Sequence, residues 1–327
     1  MKKSTSVTII TGFLGSGKTT LINKILTGEQ NRKFAVIVNE FGDLGIDGDL
    51  IVGTDDEIVE LTNGCLCCSV RGDLIEALKT LRPRLPDIDG VIIETSGLAD
   101  PIPVAQTFLT DEDDSKYYHL DGIVTLVDCQ HFKTISDTDS VSVNQVAFAD
   151  RLVLTKSDLV PVNKVTELRK ALRKINPHSD ILEAQHGMIP NTEILNIGTF
   201  DATRIEIPAI EHHHADHLSG IQSICLSSDR PIDPDNFARW VQQLLVFDGE
   251  KLLRSKGIIN FTGETRKFVF QGVQAVVEGD VQNPWPDGPR VSRMVVIGRG
   301  LNAEKIQVGW NSCLEDYLDR SLPESSA

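Results

Sequence analysis

Short apolar runs recur through the first half of the chain, and each is followed by a polar or glycine-containing loop. Runs of this length are typical of strands that are buried on both faces of a parallel sheet. Segments with helical spacing lie at 20–26, 74–81 and 161–175. The alternation predicts an α/β fold with a doubly wound, mainly parallel sheet. The expected strands are Val7–Ile10, Phe34–Val38, a strand in 89–97, Gly122–Asp128, Arg151–Leu154 and Ile181–Ala184.

The strand–helix rhythm stops after residue 186. Residues 187–219 contain prolines and the histidine-rich tract 212–217, and we interpret them as a linker whose histidines are either transient metal ligands or simply solvated. From residue 220 the pattern predicts a strand, a helix, a hairpin, a strand and a helix, in the order β-α-β-β-β-α. The predicted parts are an α/β domain at 1–186, the linker 187–219, a small α+β domain at 220–322 and a disordered tail at 323–327.

The composition is that of an ordinary globular protein, and 327 residues are enough for two domains with separate cores. A net charge of -15 argues against nucleic acid as a partner, because phosphate backbones attract basic surfaces. No apolar stretch is long enough to span a membrane, and we expect a cytoplasmic protein. In that compartment the six cysteines favour metal ligands, reactive thiols or core residues over disulfides.

A phosphate-binding motif lies between the first expected strand and the first helix. Residues 12–19 read Gly-Phe-Leu-Gly-Ser-Gly-Lys-Thr, which fits G-x-x-x-x-G-K-[ST] in its strand–loop–helix setting. The glycines allow backbone N–H groups to surround the β-phosphate, and the helix N-terminus adds positive potential. Lys18 is expected at the β- and γ-phosphate oxygens and the Thr19 hydroxyl on Mg²⁺. The motif indicates a P-loop NTPase; the alternative is a glycine-rich turn with a surface lysine.

A second candidate group follows the strand in 89–97. Glu94 is placed to act as a Walker-B carboxylate that holds Mg²⁺ directly or through water. Gly97 has no Cβ, so its N–H can approach a γ-phosphate closely, and residues 98–101 would form the loop that responds to that phosphate. The alternative is a strand followed by a helix cap.

The segment Thr155-Lys156-Ser157-Asp158 resembles the N-K-x-D guanine motif and follows a strand. Asp158 can accept hydrogen bonds from the guanine N1–H and 2-amino groups, and the Lys156 stem can lie across the base. Thr155 replaces the usual Asn, so one amide contact is lost. The alternative role for Asp158 is a cap for helix 161–175.

Three of the six cysteines, Cys65, Cys67 and Cys68, fall within four residues. Thiolates suit Zn²⁺ and other soft or borderline metals, and three of them leave one tetrahedral position open. A redox switch and small core residues are the alternatives. Glu40 and Asp43, in the loop after the second strand, are the acidic candidates near both metal and nucleotide.

In combination, these motifs resemble the CobW family of metal-handling P-loop GTPases, and most closely its YjiA-like branch. The matching stretches are 12–20, 39–42, 61–68, 94–101, 155–158, 251–254 and 270–274. The resemblance implies slow GTP hydrolysis coupled to delivery of a metal, zinc or cobalt, to a client metalloprotein. It also implies that the chain alternates between GTP and GDP. Whether the protein forms a nucleotide- or metal-dependent homodimer is left undecided by the sequence.

The expected catalytic groups are Lys18, Thr19 and Glu94, and no residue is recognisable as a general base. The expected metal ligands are the three cysteines with Asp43 first and Glu40 second for the open position, while Thr19 holds Mg²⁺. Two alternatives remain: a GTP-switched metal sensor or storage protein, and an ATP-dependent kinase-like enzyme. The expected nucleotide contacts are Gly12, Gly15, Ser16, Gly17, Lys18, Thr19, Thr20, Glu94, Gly97, Thr155, Lys156 and Asp158.

Overall fold

The computed structural model describes residues 4–28, 32–39, 57–61, 69–110, 116–136, 140–177, 179–184, 186, 188–198 and 220–314. The chain divides into two compact units, Met1–Thr199 and Phe200–Ala327. Among the described residues, none of the helices combines the length and apolar composition that crossing a bilayer requires.

Unit 1 is built on a seven-stranded sheet in the order β3-β2-β4-β1-β5-β6-β7, and every neighbouring pair is parallel. The central strands are almost completely buried, which explains their continuous apolar sequences. The predicted fold class is therefore confirmed. The strands are β1 (Thr5–Gly12), β2 (Phe34–Asn39), β3 (Glu57–Leu61), β4 (Gly90–Thr95), β5 (Tyr118–Asp128), β6 (Arg151–Thr155) and β7 (Asp180–Ala184).

Six α-helices accompany this sheet within the described residues of unit 1. One core cluster combines Leu21, Ile22 and Ile25 of the first helix with residues of β1, β2, β4 and β5. The helices are α1 (Lys18–Gly28), α2 (Ser69–Leu81), α3 (Ile102–Thr110), α4 (Phe132–Ser136), α5 (Ser140–Phe148) and α6 (Val162–Ile175). No prediction was made for α3, α4 and α5. Helix α4 has only five residues, and α5 is buried over most of its surface, so its apolar residues show little helical period.

Residues 188–198 lie within the predicted linker 187–219, yet they pack in unit 1. Ile194, Leu195 and Ile197 are buried in the same core cluster as α1. The buried carboxylate of Asp121 on β5 accepts hydrogen bonds from the N–H groups of Ile197 at 3.1 Å and Gly198 at 3.0 Å. Three apolar residues within 194–197 explain why this segment stays with the core. Residues 199–219 lie outside the described residues, and the linker stays a prediction there.

Unit 2 contains a five-stranded sheet in the order β11-β10-β9-β12-β8, in which every neighbouring pair is antiparallel. The strands are β8 (Ile221–Ser228), β9 (Leu252–Ile259), β10 (Arg266–Val273), β11 (Val276–Pro284) and β12 (Ser292–Arg299), and the helices are α7 (Pro234–Asp248) and α8 (Ala303–Asn311). Alternate residues of one sheet face, such as Ile224, Leu226, Met294 and Val296, share a core with Trp240 of α7 and Trp310 of α8.

Strand β11 was not predicted, so the observed order has one more strand than β-α-β-β-β-α. Its sequence contains glycine, aspartate and asparagine, which are depleted in strands, and most of it is exposed. It pairs with β10 alone among the described strands. Gly279 of β11 lies under the ring of Phe268 of β10, because a Cβ at this glycine would come within 2.2 Å of the ring Cζ.

Candidate nucleotide-binding site

The phosphate loop connects β1 to α1, and its three glycines have two different roles. Gly12 has φ of +139°, and a Cβ there would lie 2.4 Å from the carbonyl oxygen of Leu126 in β5. Gly15 and Gly17 also have positive φ, at +71° and +98°, but a Cβ on either would have no atom within 4 Å. Gly12 therefore permits packing against the sheet, whereas Gly15 and Gly17 give the loop its curled backbone with open space beside it.

Lys18 places a positive charge inside this loop. The residue is only 8% exposed, and its Nζ donates to the carbonyl oxygens of Gly12 at 2.9 Å and Phe13 at 3.3 Å. The Ser16 hydroxyl is also buried, and no hydrogen-bond partner for it is present among the described residues. A buried ammonium, an unsatisfied hydroxyl and a helix N-terminus together suit an anion such as a phosphate group.

Thr19 and Glu94 meet beside the loop. The Thr19 Oγ1 donates to the Glu94 Oε1 at 3.1 Å, and Glu94 is 4% exposed. The pairing of β1 with β4 brings Ile10 opposite Glu94, so the sheet itself delivers this carboxylate to the start of α1. A hydroxyl and a carboxylate are oxygen ligands that suit Mg²⁺, so this pair fits the ion that the sequence predicted here.

Gly97 follows β4 and touches the phosphate loop directly. A Cβ at this residue would lie 2.5 Å from the backbone nitrogen of Leu14 and 2.8 Å from its Cα. The backbone at Gly97 therefore lies against the phosphate loop with no room for a side chain. The sequence predicted an approach of the Gly97 N–H to a γ-phosphate; the contact present here is with protein backbone, and the approach to phosphate stays a prediction.

A cavity opens beside the loop, between α1 and the carboxyl ends of β6 and β7. Its lining includes Ser16, Gly17 and Thr20 from the phosphate loop and α1, Thr155, Lys156 and Asp158 after β6, and Ala184 and His186 from the end of β7. Three of the predicted phosphate-binding residues and all three predicted base-binding residues thus line one cavity at an edge of the sheet where open α/β sheets bind ligands. The lining does not include Lys18, Thr19, Glu94 or Gly97.

Thr155 ties the base side of this cavity to the phosphate side. Its Oγ1 donates to the backbone oxygen of Ser16 at 2.8 Å. The sequence suggested that replacing Asn by Thr removes a contact to the base; the structure shows a hydroxyl that stabilises the phosphate loop.

Lys156 is paired with an acid that the sequence did not indicate as functional. It has φ of +57°, and its Nζ donates to the Asp128 Oδ2 at 2.7 Å. Burial alone would raise the pKa of Asp128, but hydrogen bonds from Lys156, His131 and the Gln130 N–H outweigh it and hold the pKa below its usual value. Asp128 is the last residue of the apolar strand β5, which pairs with the strand that leads into the phosphate loop. This position could have identified Asp128 as a candidate site residue from the sequence.

Asp158 does not cap helix α6, which removes the alternative role considered for it. The N-cap of α6 is Pro161, and no side chain caps this end. Asp158 lies on a short 3₁₀ turn over Ser157–Leu159, and its Oδ2 is 3.9 Å from the His186 Nε2. Its carboxylate therefore lines the cavity and is available to a ligand.

The two units match the two parts of one protein family. Residues 6–183 match the family model described as CobW/HypB/UreG, nucleotide-binding domain, and residues 221–314 match that described as Cobalamin synthesis protein cobW C-terminal domain. The chain belongs to the CobW family. The resemblance inferred from its motifs is confirmed.

Relatives of this CobW-family chain match it over nearly its full length. The zinc chaperone YjiA of Escherichia coli strain K12 is 37% identical over 311 residues, which cover 93% of this chain and 97% of YjiA. The zinc chaperone CobW of a Sinorhizobium species is 31% identical over 329 residues, covering 89% and 92%. The crystal structure of Zn(II)-bound YjiA GTPase from E. coli has a TM-score of 0.78 at 31% identity, covering 96% of this chain and 100% of that one.

The metal ligands expected in this CobW-family protein, Cys65, Cys67, Cys68, Glu40 and Asp43, all lie outside the described residues. Within the described ranges, no group of three or more His, Cys, Asp or Glu side chains could hold a metal ion. The flanking strands are described, and their register pairs Asn39 with both Leu61 and Thr95. The two candidate segments follow β2 and β3 in sequence. The described end of β2 lies between the end of β3 and the end of β4, which carries Glu94.

Proposed function

We propose that this protein is a GTP-hydrolysing metallochaperone. It binds a transition metal, zinc or cobalt, and couples GTP hydrolysis to delivery of that metal to a client metalloprotein. Nucleotide binding is supported by three features that lie at the same edge of the sheet. They are Lys18 in the phosphate loop, the Thr19–Glu94 pair, and the cavity lined by Lys156 and Asp158. The metal half is supported by the Gly-Cys-Leu-Cys-Cys motif and by relatives named zinc chaperones.

Hydrolysis in this site depends on positioning and charge. Lys18 and the N–H groups of the phosphate loop would stabilise the negative charge that develops on the γ-phosphate of GTP. Thr19 and Glu94 would hold Mg²⁺, which supplies further charge neutralisation when bound. The Gly97 backbone, packed against Leu14, would close the site next to the γ-phosphate. The resemblance to the CobW family implies that turnover is slow.

Guanine selectivity is assigned to Asp158, with Lys156 lying across the base. Asp158 is 31% exposed and lines the cavity, whereas the Lys156 ammonium is paired with Asp128. A carboxylate accepts the guanine N1–H and 2-amino hydrogens, which adenine does not offer. Asp158→Asn should therefore weaken GTP binding and improve xanthosine triphosphate binding. Competition binding in Mg²⁺ tests this, and wild-type protein that binds ATP as tightly as GTP would rule out the assignment.

The metal is assigned to Cys65, Cys67 and Cys68, with Asp43 or Glu40 as the fourth ligand. The pairing of Asn39 with Thr95 supports coupling, because the acidic segment begins one residue after Asn39 and Glu94 lies one residue before Thr95. Loss of the γ-phosphate could change the metal affinity by displacing a ligand on that segment.

Co²⁺ substitution tests the metal assignment. Thiolate ligation should give sulfur-to-metal charge-transfer absorption that decreases in Cys67→Ser, and the ligand-field bands should shift when GTP and Mg²⁺ are added. Metal affinity should decrease at acid pH, because the thiols must lose protons to bind. A triple Cys→Ser variant that still binds one tight equivalent of Zn²⁺ would place the site elsewhere, with the tract 212–217 as the next candidate. Unchanged metal affinity with GTP would indicate metal storage without coupling.

A further inference from the structure

The loop after β4 is held from the side by one buried amide. Gln145 of α5 is 1% exposed, and its Nε2 donates to the carbonyl oxygens of Gly97 at 3.2 Å and Ala99 at 3.1 Å. Both bonds come from one NH₂ group, and both acceptors lie in the loop 96–101. Gln145 therefore fixes two alternate peptide groups of this loop at once.

Burying the Gln145 amide at this position costs free energy unless its hydrogen bonds are made. Its neighbours Val143, Val146 and Ala147 are apolar and buried, and a methionine would fill a similar volume without burying polar atoms. A buried amide is tolerated when its hydrogen bonds are made. Removing the Gln145 amide would leave the buried carbonyl groups of Gly97 and Ala99 without these donors. The hydrogen bonds to the loop explain why a polar side chain lies inside this otherwise apolar helix.

Helix α5 is itself tied to the sheet at the same residue. The Thr125 Oγ1 of β5 donates to the backbone oxygen of Gln145 at 2.8 Å, and both groups are buried. The contact therefore runs from the sheet through Gln145 to the loop. On its other side the loop meets the phosphate loop, where Gly97 lies against Leu14 with no space for a Cβ.

We propose that Gln145 is a positioning residue through which the protein distinguishes GTP from GDP. It holds Gly97 and Ala99 next to the phosphate loop, in the arrangement that accepts a γ-phosphate. This proposal rests on the nucleotide site described above. GDP has no γ-phosphate, so its binding depends on the phosphate loop and the base cavity and not on Gln145.

Two substitutions separate this role from simple packing. Gln145→Met keeps the volume but removes both donors, and Gln145→Glu replaces the donor with a group that faces two carbonyl oxygens. Asn176 offers a matched control: its buried amide donates to the carbonyl oxygens of Val146 at 2.9 Å and Ala149 at 2.8 Å, outside the loop 96–101. Asn176→Asp therefore disturbs α5 through equivalent chemistry without touching the loop.

The measurement is the affinity of each protein for GDP and for a non-hydrolysable GTP analogue in Mg²⁺. In both Gln145 variants the analogue should bind about tenfold more weakly, the equivalent of one or two buried hydrogen bonds, while GDP affinity changes less than about twofold. Asn176→Asp should lower thermal stability without changing the ratio of the two affinities. An unchanged ratio in both Gln145 variants, or an equal loss of both nucleotides, would overturn the proposal. Wild-type protein that binds neither nucleotide would instead refute the proposed function.

Discussion

Gly97→Ala should slow GTP hydrolysis far more than one added methyl group suggests. The new Cβ would lie 2.5 Å from the Leu14 nitrogen and 2.8 Å from its Cα. Both are backbone atoms of the phosphate loop, so no side chain can rotate to make room. The loop after β4 and the phosphate loop must therefore separate.

The required separation sets the size of the effect. Ordinary contacts of a Cβ begin near 3.4 Å, so the two backbones must move apart by about 1 Å. A displacement of about 1 Å between catalytic groups and substrate costs on the order of 100-fold in rate. We therefore expect the rate constant for hydrolysis to decrease about 100-fold, while GDP affinity, which does not depend on the γ-phosphate, stays near that of the wild type.

Single-turnover hydrolysis of GTP in Mg²⁺ measures this rate directly. Gly72→Ala is the matched control, because Gly72 lies in α2 and a Cβ there would have no atom within 4 Å. That variant should hydrolyse GTP normally and gain up to about 1 kcal/mol of stability from the higher helix propensity of alanine. A hydrolysis rate within about threefold of wild type in Gly97→Ala would refute the reasoning from the close backbone contact.

Three further predictions concern the phosphate loop, the cysteines and the core of unit 2. Lys18→Ala should abolish hydrolysis but leave the metal stoichiometry unchanged, because the predicted metal ligands are other residues; lost stoichiometry in folded protein would contradict this. Burial raises the pKa of Cys225, and it raises the pKa of Cys129 to about 11 and that of Cys313 to about 12, so these three thiols stay protonated at pH 7. In metal-free protein, iodoacetamide followed by mass spectrometry should therefore label Cys65, Cys67 and Cys68 first. Gly309→Ala would put a Cβ 2.2 Å from the Trp240 Nε1 and should destabilise unit 2 by about 1–3 kcal/mol, measured by denaturation with tryptophan fluorescence; unchanged stability would contradict it.

The nucleotide-binding edge was predictable because its residues follow apolar strands in sequence. A parallel sheet brings the carboxyl ends of its strands to one side, so Thr19, Glu94 and Asp158 were expected near each other. The contacts that hold the loop after β4 and the Lys156 side chain were not predictable. Gln145 lies in a helix that is buried over most of its surface, and pairing between Asp128 and Lys156 depends on the adjacency of β5 and β6.

Elements without a clear hydrophobic period were the ones that the sequence did not reveal. Strand β11 is largely exposed and interrupted by Gly279, so neither a buried run nor an alternating pattern marks it. The segment 188–198 contains Pro190 and follows the last strand of the sheet, which made it resemble a linker. Its three core residues fall within the four-residue stretch 194–197, which a single asparagine interrupts. A stretch of four residues is too short to indicate a regular element.

The glycine under Phe268 has a consequence for how unit 2 avoids aggregation. An outer strand with unpaired backbone groups can recruit a strand from another molecule. Here the aromatic ring fills the space where Gly279 has no side chain, so a pairing shifted by one residue would put Glu278 or Asp280 beneath the ring and clash with it. The same two exposed carboxylates would face each other in a copy that pairs antiparallel with this strand about Gly279, and their like charges would oppose that pairing. The features that fix the pairing of β11 with β10 thus also discourage self-association.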